Sequence, residues 1–123
     1  MVYKAAVASL DGKVITLHFG RCERYYIVKL DTDKDGYEYA EYRDVTPPCK
    51  DFEHSRHDFD AVAEALADCA YILVAKIGPG AQSYMSRKGF TVLESPELVD
   101  TALEKLLTYI KKRHKVNGTK NNN

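Results

Sequence analysis

The sequence predicts an α/β protein with a mixed sheet, on three observations. Tyr71-Ile72-Leu73-Val74 is a continuous apolar run without alternation, as expected of a strand covered on both faces. The run stops at Gly78-Pro79-Gly80, a backbone breaker, after which Ala81, Tyr84 and Met85 fall at helical spacing. Thr91-Val92-Leu93 then supplies a second short strand. Strand, glycine turn, helix and strand form a βαβ unit, whose right-handed crossover leaves the two strands parallel. Gly78 to Gly80 therefore lies at the carboxyl edge of the sheet, where open α/β sheets bind ligands.

The remaining elements follow in order. Val2 to Leu10 is apolar and rich in small residues, and reads as a first, central strand. Asp11-Gly12 is a turn signal, and Val14 to Leu17 a short extended piece leading to His18-Phe19-Gly20. Tyr25 to Leu30 is dominated by aromatic and β-branched residues, which favour a strand. Asp31 to Gly36 is a hairpin loop, and Tyr37 to Val45 pairs back as an antiparallel edge whose charges Glu38, Glu41 and Arg43 suit solvent. Pro47-Pro48 ends it, and Cys49 to His57 reads as a polar loop. Asp58 is placed to cap a helix with Phe59, Val62, Ala63, Leu66 and Ala70 on its apolar face. Gly89 is the expected C-terminal cap of the helix after the glycine turn. Ser95-Pro96 is expected to start the last helix, with Val99, Ala102, Leu103, Leu106 and Ile110 as its buried stripe. Lys111, Lys112, Arg113 and Lys115 crowd its end, where the helix dipole favours cations.

The expected strand order is 3-2-1-4-5, with two antiparallel additions at one edge and helices on both faces. That three-layer arrangement resembles the ribonuclease H-like topology. The domain is expected over residues 1–115, with 116–123 as a disordered polar tail.

Composition narrows the function. Eighteen basic and eighteen acidic residues cancel, which disfavours a nucleic-acid surface. No apolar run reaches the roughly 20 residues of a membrane span. Met1 to Lys4 leads straight into a strand, so a signal peptide is not expected. Three cysteines without a CxxC spacing form no disulfide framework, and the reading is a reduced cytoplasmic protein. No GxSxG elbow occurs, and Asp11, Asp31, Asp58 and Glu94 make no evident acidic set for metal-assisted hydrolysis. An enzyme is not expected.

The candidates for chemistry are few. His18 follows the first strand, in a loop at its carboxyl end; Phe19 anchors that loop and Gly20 is free of φ limits. An imidazole there is either a metal ligand or a surface and capping residue. Cys22 is a second possible ligand, or a small residue at a strand start. Cys49, His54 and His57 share one polar loop and are candidate metal ligands; their spacing is not that of a zinc finger, so they read better as opportunistic ligands of a cluster bound mainly elsewhere than as a self-contained zinc site. Cys69 reads as a core cysteine. Gly78-Pro79-Gly80 places backbone amides at a helix N-terminus, a generic anion site to which Lys76 adds charge, or else is only a tight turn.

Several stretches together resemble the dinitrogenase iron–molybdenum cofactor biosynthesis family, the group containing NifX, NafY and the C-terminal domain of NifB. They are His18-Phe19-Gly20, Tyr26-Ile27-Val28, Pro47-Pro48-Cys49, Glu53-His54, Asp68-Cys69, Ile72-Leu73-Val74, Ile77-Gly78-Pro79-Gly80-Ala81, Gly89-Phe90 and Leu93-Glu94. The resemblance covers about residues 2 to 110. It implies a non-catalytic carrier of an iron–sulfur cluster or iron–molybdenum cofactor precursor, bound as cargo, with His18 as a cluster ligand. It also implies nitrogenase cofactor assembly proteins or apo-dinitrogenase as partners of a monomer or weak dimer. Cys22 departs from the family pattern, and His57 is not assigned by it. The alternative is a regulatory or protein-interaction domain of the same fold that binds no metal.

Overall fold

The computed structural model describes residues 1–48 and 56–121. The strands are β1 (Val2–Ala8), β2 (Arg24–Asp31), β3 (Gly36–Asp44), β4 (Tyr71–Val74) and β5 (Thr91–Glu94). The helices are α1 (Arg56–Ala65), α2 (Pro79–Arg87) and α3 (Val99–Asn121). One sheet holds all five strands in the order β3-β2-β1-β4-β5, as expected. β1 pairs antiparallel with β2 and parallel with β4; β2–β3 is antiparallel and β4–β5 parallel.

β1 is central because its small side chains allow close cover on both faces. Ala6 and Ala8 join Tyr25, Ile27, Ile72 and Val74 beneath Phe59 and Val62 of α1 and Met85 of α2. Ala5 and Val7 join Val28, Leu30, Tyr71 and Leu73 beneath the α3 stripe Val99, Ala102, Leu103, Leu106 and Ile110. The period-two alternation of strand side chains thus sorts one strand's residues into two cores. Tyr71 to Val74 are buried throughout, as a strand covered on both faces requires.

Two positive-φ glycines mark turns that other residues enter only with strain. Gly12 (φ 76°) follows Asp11, whose carboxylate accepts the Lys13 and Val14 amides at 2.8 and 3.2 Å. Gly89 (φ 100°) ends α2: its N–H donates to Ser86 O and that of Phe90 to Met85 O, a Schellman motif closed by two buried side chains, Phe90 and Met85.

Several boundaries differ from expectation. β1 ends at Ala8, because buried Ser9 turns its hydroxyl to the Val14 carbonyl at 2.5 Å and accepts the Gly12 amide. α1 begins at Arg56, ahead of Asp58, and stops at Ala65, so Ala70 lies beyond it. α3 starts at Val99, not at Ser95-Pro96. Leu98 bridges to Val14 and the Val99 amide donates to Lys13 O, which holds residues 96–98 against the Asp11 turn. The backbone of α3 continues through Asn121, into the stretch composition assigned to a tail, because a nucleated helix propagates through weak formers. A bulge between Ile27 and Val28, where the β2–β3 register shifts, interrupts the loose alternation of the edge strand.

Candidate functional site

The site is built where the chain from Val14 to Gly20 runs alongside the exit of β4. The Ala75 amide donates to Leu17 O and the Phe19 amide to Lys76 O, both at 2.9 Å, and His18 forms a parallel bridge with Lys76. These bonds extend the sheet by one short rung at its carboxyl edge. They set His18 beside Lys76, two residues before Gly78, so the imidazole and the glycine turn share one rim, as the sequence predicts.

Phe19 fixes the loop from below. It is buried, and its ring meets Phe59 of α1 at 6.1 Å, which in turn meets Tyr84 of α2 at 5.4 Å. His18 is exposed, with no hydrogen bond or ion pair to its imidazole among the described residues. An apolar neighbour pinned in the core and a free imidazole at the surface is an arrangement that presents a ligand. Gly20 lies in a 3-10 turn, Phe19–Arg21, so the φ freedom expected of it is not used.

The glycine turn is open. Gly78 is the N-cap of α2, with φ −72° and ψ 155°, and Pro79 occupies the first turn. No side chain caps this helix start. Neither Gly78 nor Gly80 has a positive φ, and a Cβ built on either meets nothing within 4 Å. Neither the backbone nor the protein's own packing explains these two glycines. Their missing side chains leave space over first-turn amides that carry the positive end of the helix dipole.

The charges around this space are mixed. Lys76 is exposed beside His18, and Arg21 closes the 3-10 turn. Glu94, at the end of β5, accepts the Ile77 amide at 2.9 Å and so brings a carboxylate to the same rim. A cleft of about 430 Å³, lined in part by Leu17, Arg21, Arg24 and Ser9, opens on this edge. Sequence reasoning missed both the cleft and the Glu94 contact to the Ile77 amide, which depend on the start of β2 and the end of β5 lying at this edge.

The other candidates sit elsewhere or lie beyond the description. Cys22 is fully buried, its thiol donates to Arg24 O at 3.0 Å, and burial pushes it up to about 11. It faces the α1–α2 core as a neutral thiol rather than the rim as a thiolate. Cys69 is also buried, its thiol pushed up to about 11, first by burial and then by the charge of Asp68, as a core cysteine would be. Cys49 and His54, and the side chain of His57, lie outside the described residues. Among the described residues no three His, Cys, Asp or Glu side chains cluster as a metal site. Tyr84, one of the residues at helical spacing after the glycine turn, donates its hydroxyl to Asp60 and joins α2 to α1.

Comparison with known proteins places this geometry in a family. A FeMo cofactor biosynthesis protein NifB from Chlorobaculum tepidum is 29% identical over 103 residues, which cover 84% of this chain and 23% of that protein. The chain thus spans about a quarter of that relative's length. Among solved structures, PH0822 superposes with a TM-score of 0.62 at 18% identity, covering 85% of this chain and 88% of that one. The apo form of the orange protein from Desulfovibrio gigas gives 0.56 at 19% identity, covering 85% and 87%. At these identities the two structures share the fold. Residues 1–109 match the family described as dinitrogenase iron-molybdenum cofactor, and the chain belongs to that family.

Proposed function

We propose that this protein binds an iron–sulfur precursor of the iron–molybdenum cofactor as cargo, at the rim shared by His18 and Gly78-Pro79-Gly80, and carries it without chemical turnover. A role in nitrogenase cofactor biosynthesis follows from the family. The single observation that supports cargo binding is the His18–Lys76 bridge. It sets an unpartnered imidazole beside an uncapped helix start whose glycines leave room for a guest. A cluster with anionic sulfides suits these groups: one nitrogen ligand for a metal, helix amides for the sulfides, and Lys76 for residual charge. Few bonds hold such a guest loosely enough to hand on. Its donor and recipient are then nitrogenase cofactor assembly proteins or apo-dinitrogenase, met in the cytoplasm. We keep the ribonuclease H-like description as a reading of topology; it carries no nuclease activity with it.

A second reading is favoured by one observation: among the described residues no three donors cluster. On that reading the chain is a regulatory or protein-interaction domain that binds no metal. Anaerobic mixing with a cluster precursor separates the two. The carrier reading expects a brown monomeric complex with broad visible absorbance, lost in His18→Ala. A variant that binds as well as the parent overturns the role given to His18. Absence of any visible band with the parent favours the second reading.

A further inference from the structure

We propose that the α3-side face of β2 and β3 is a docking surface for a partner polypeptide, which seats an arginine or lysine side chain among Tyr26, Tyr37 and Tyr39. On this side α3 covers β1, β4 and the Val28 and Leu30 positions of β2 but leaves the outer part of β3 bare: Tyr39 is 56% and Tyr42 50% exposed. Between the helix and that edge lies a groove of about 390 Å³. Its floor is Val28, Val99 and Leu103, and its walls are the three tyrosines. Asp100 stands at its mouth and accepts the Tyr37 hydroxyl at 3.2 Å.

Charge and ring geometry select the occupant. Asp100 and Glu104 are exposed, both act on the Tyr37 phenol, and neither forms an ion pair among the described residues. By contrast, Glu97 is paired with Lys105 and Asp35 with Lys111. An aromatic groove with uncompensated carboxylates attracts a cation that has an apolar stem, because the ring faces are negative and the stem is desolvated at little cost. The same row already does this internally: the Arg24 guanidinium lies 3.9 Å from the centroid of Tyr42. Tyr26 meets Tyr39 at 5.7 Å in a tilted pair and Tyr42 at 6.4 Å edge to face, so the exposed Tyr39 ring is not stacked face to face on its neighbour.

A polypeptide, rather than a free amine, is indicated by the extent of the patch. Exposed Leu98 bridges to Val14 beside the groove, and exposed Leu10 presents its carbonyl to the Tyr26 hydroxyl. Clustered tyrosines have the composition of an interface core, and the exposed leucines beside them widen the apolar patch. The bulge in β3 discourages simple strand addition at this edge, which leaves side-chain recognition as the mode.

The test is an amide-shift titration of the full chain with a short peptide in which leucines flank one arginine. Saturable shifts are expected at Tyr26, Tyr37, Tyr39 and Leu103. Replacing the arginine by neutral citrulline is expected to weaken binding about tenfold. Asp100→Asn and Tyr39→Ala are expected to weaken it several-fold, while Tyr39→Phe and His18→Ala leave it unchanged. Equal binding of the citrulline peptide, or no saturable shift, overturns the proposal. Binding of N-acetylarginine amide as tight as that of the peptide overturns the polypeptide assignment. Because His18 stands outside this surface, failure here leaves the cargo reading untouched, and the reverse holds.

Discussion

Gly80 is the residue at which stability and function pull apart. It lies in the first turn of α2 without a positive φ, and a Cβ there meets open space. Alanine is the better helix former, so Gly80→Ala is expected to stabilise the fold by about 0.5–1 kcal/mol in urea denaturation. The added methyl stands over the helix amides, so the same variant is expected to bind the cluster precursor less well. Stabilisation with undiminished binding would show that the cargo does not approach this turn. The cysteines make the opposite case. Cys22 and Cys69 are buried thiols, both pushed up to about 11, chiefly by burial. At pH 8 both are expected to react with iodoacetamide far more slowly in the native protein than in urea, as peptide mapping would read. Fast native labelling of Cys22 would return it to the list of ligands.

At the scale of elements, α1 is held to the sheet by one charged junction as well as by its apolar face. Arg43 on β3 donates to Asp68 at 2.6 and 2.9 Å and to the Ala65 carbonyl at the end of α1, and Lys4 on β1 adds a third contact to Asp68 at 2.8 Å. Arg43 and Lys4 hold the Asp68 carboxyl well below the usual carboxylate range, with hydrogen bonding to Arg43 as the largest cause. Because the folded value is depressed, this junction stabilises the fold fully above about pH 4, the unfolded carboxylate value, and is lost as pH falls further. Asp68 is partly exposed, so Asp68→Asn is expected to cost only about 1 kcal/mol at pH 7, with the gap to the parent closing in acid. A gap that persists unchanged at pH 2 would mean that packing, not charge, is lost. This junction was not legible in the sequence. Arg43 and Glu41 read as solvated edge charges, and only the folding of α1 against β3 brings Asp68 to them. His18 and Gly78 were legible, because a parallel β1–β4 pair brings the segments after both strands to one edge. The tyrosine groove was not, since strand propensity accounts for each tyrosine singly and only the place where α3 stops covering the sheet makes them a surface.

At the scale of the whole molecule, β1 lines both cores, so the two are expected to unfold as one cooperative unit. Ala6 and Ala8 belong to the α1–α2 core, and Ala5 and Val7, alternating with them, to the α3 core. The parallel contact of β1 with β4 joins residues far apart in sequence, Ala5 with Tyr71 and Val7 with Leu73, so neither layer closes without the other half of the chain. Removing packing from one layer should therefore be felt in the other. Leu106 of α3 is almost fully buried against the sheet, and Leu106→Ala is expected to cost about 2–5 kcal/mol. The decisive measurement compares two probes in that variant. Far-UV circular dichroism follows the whole backbone, while a fluorinated tyrosine at position 84 reports the α1–α2 layer, where Tyr84 meets Phe59. Both are expected to shift to the same lower urea midpoint with one transition each. If the position-84 probe kept the parent midpoint while the backbone signal split, the layers would be separable. The rim at His18, pinned by Phe19 in the α1–α2 core, would then survive loss of the α3 face.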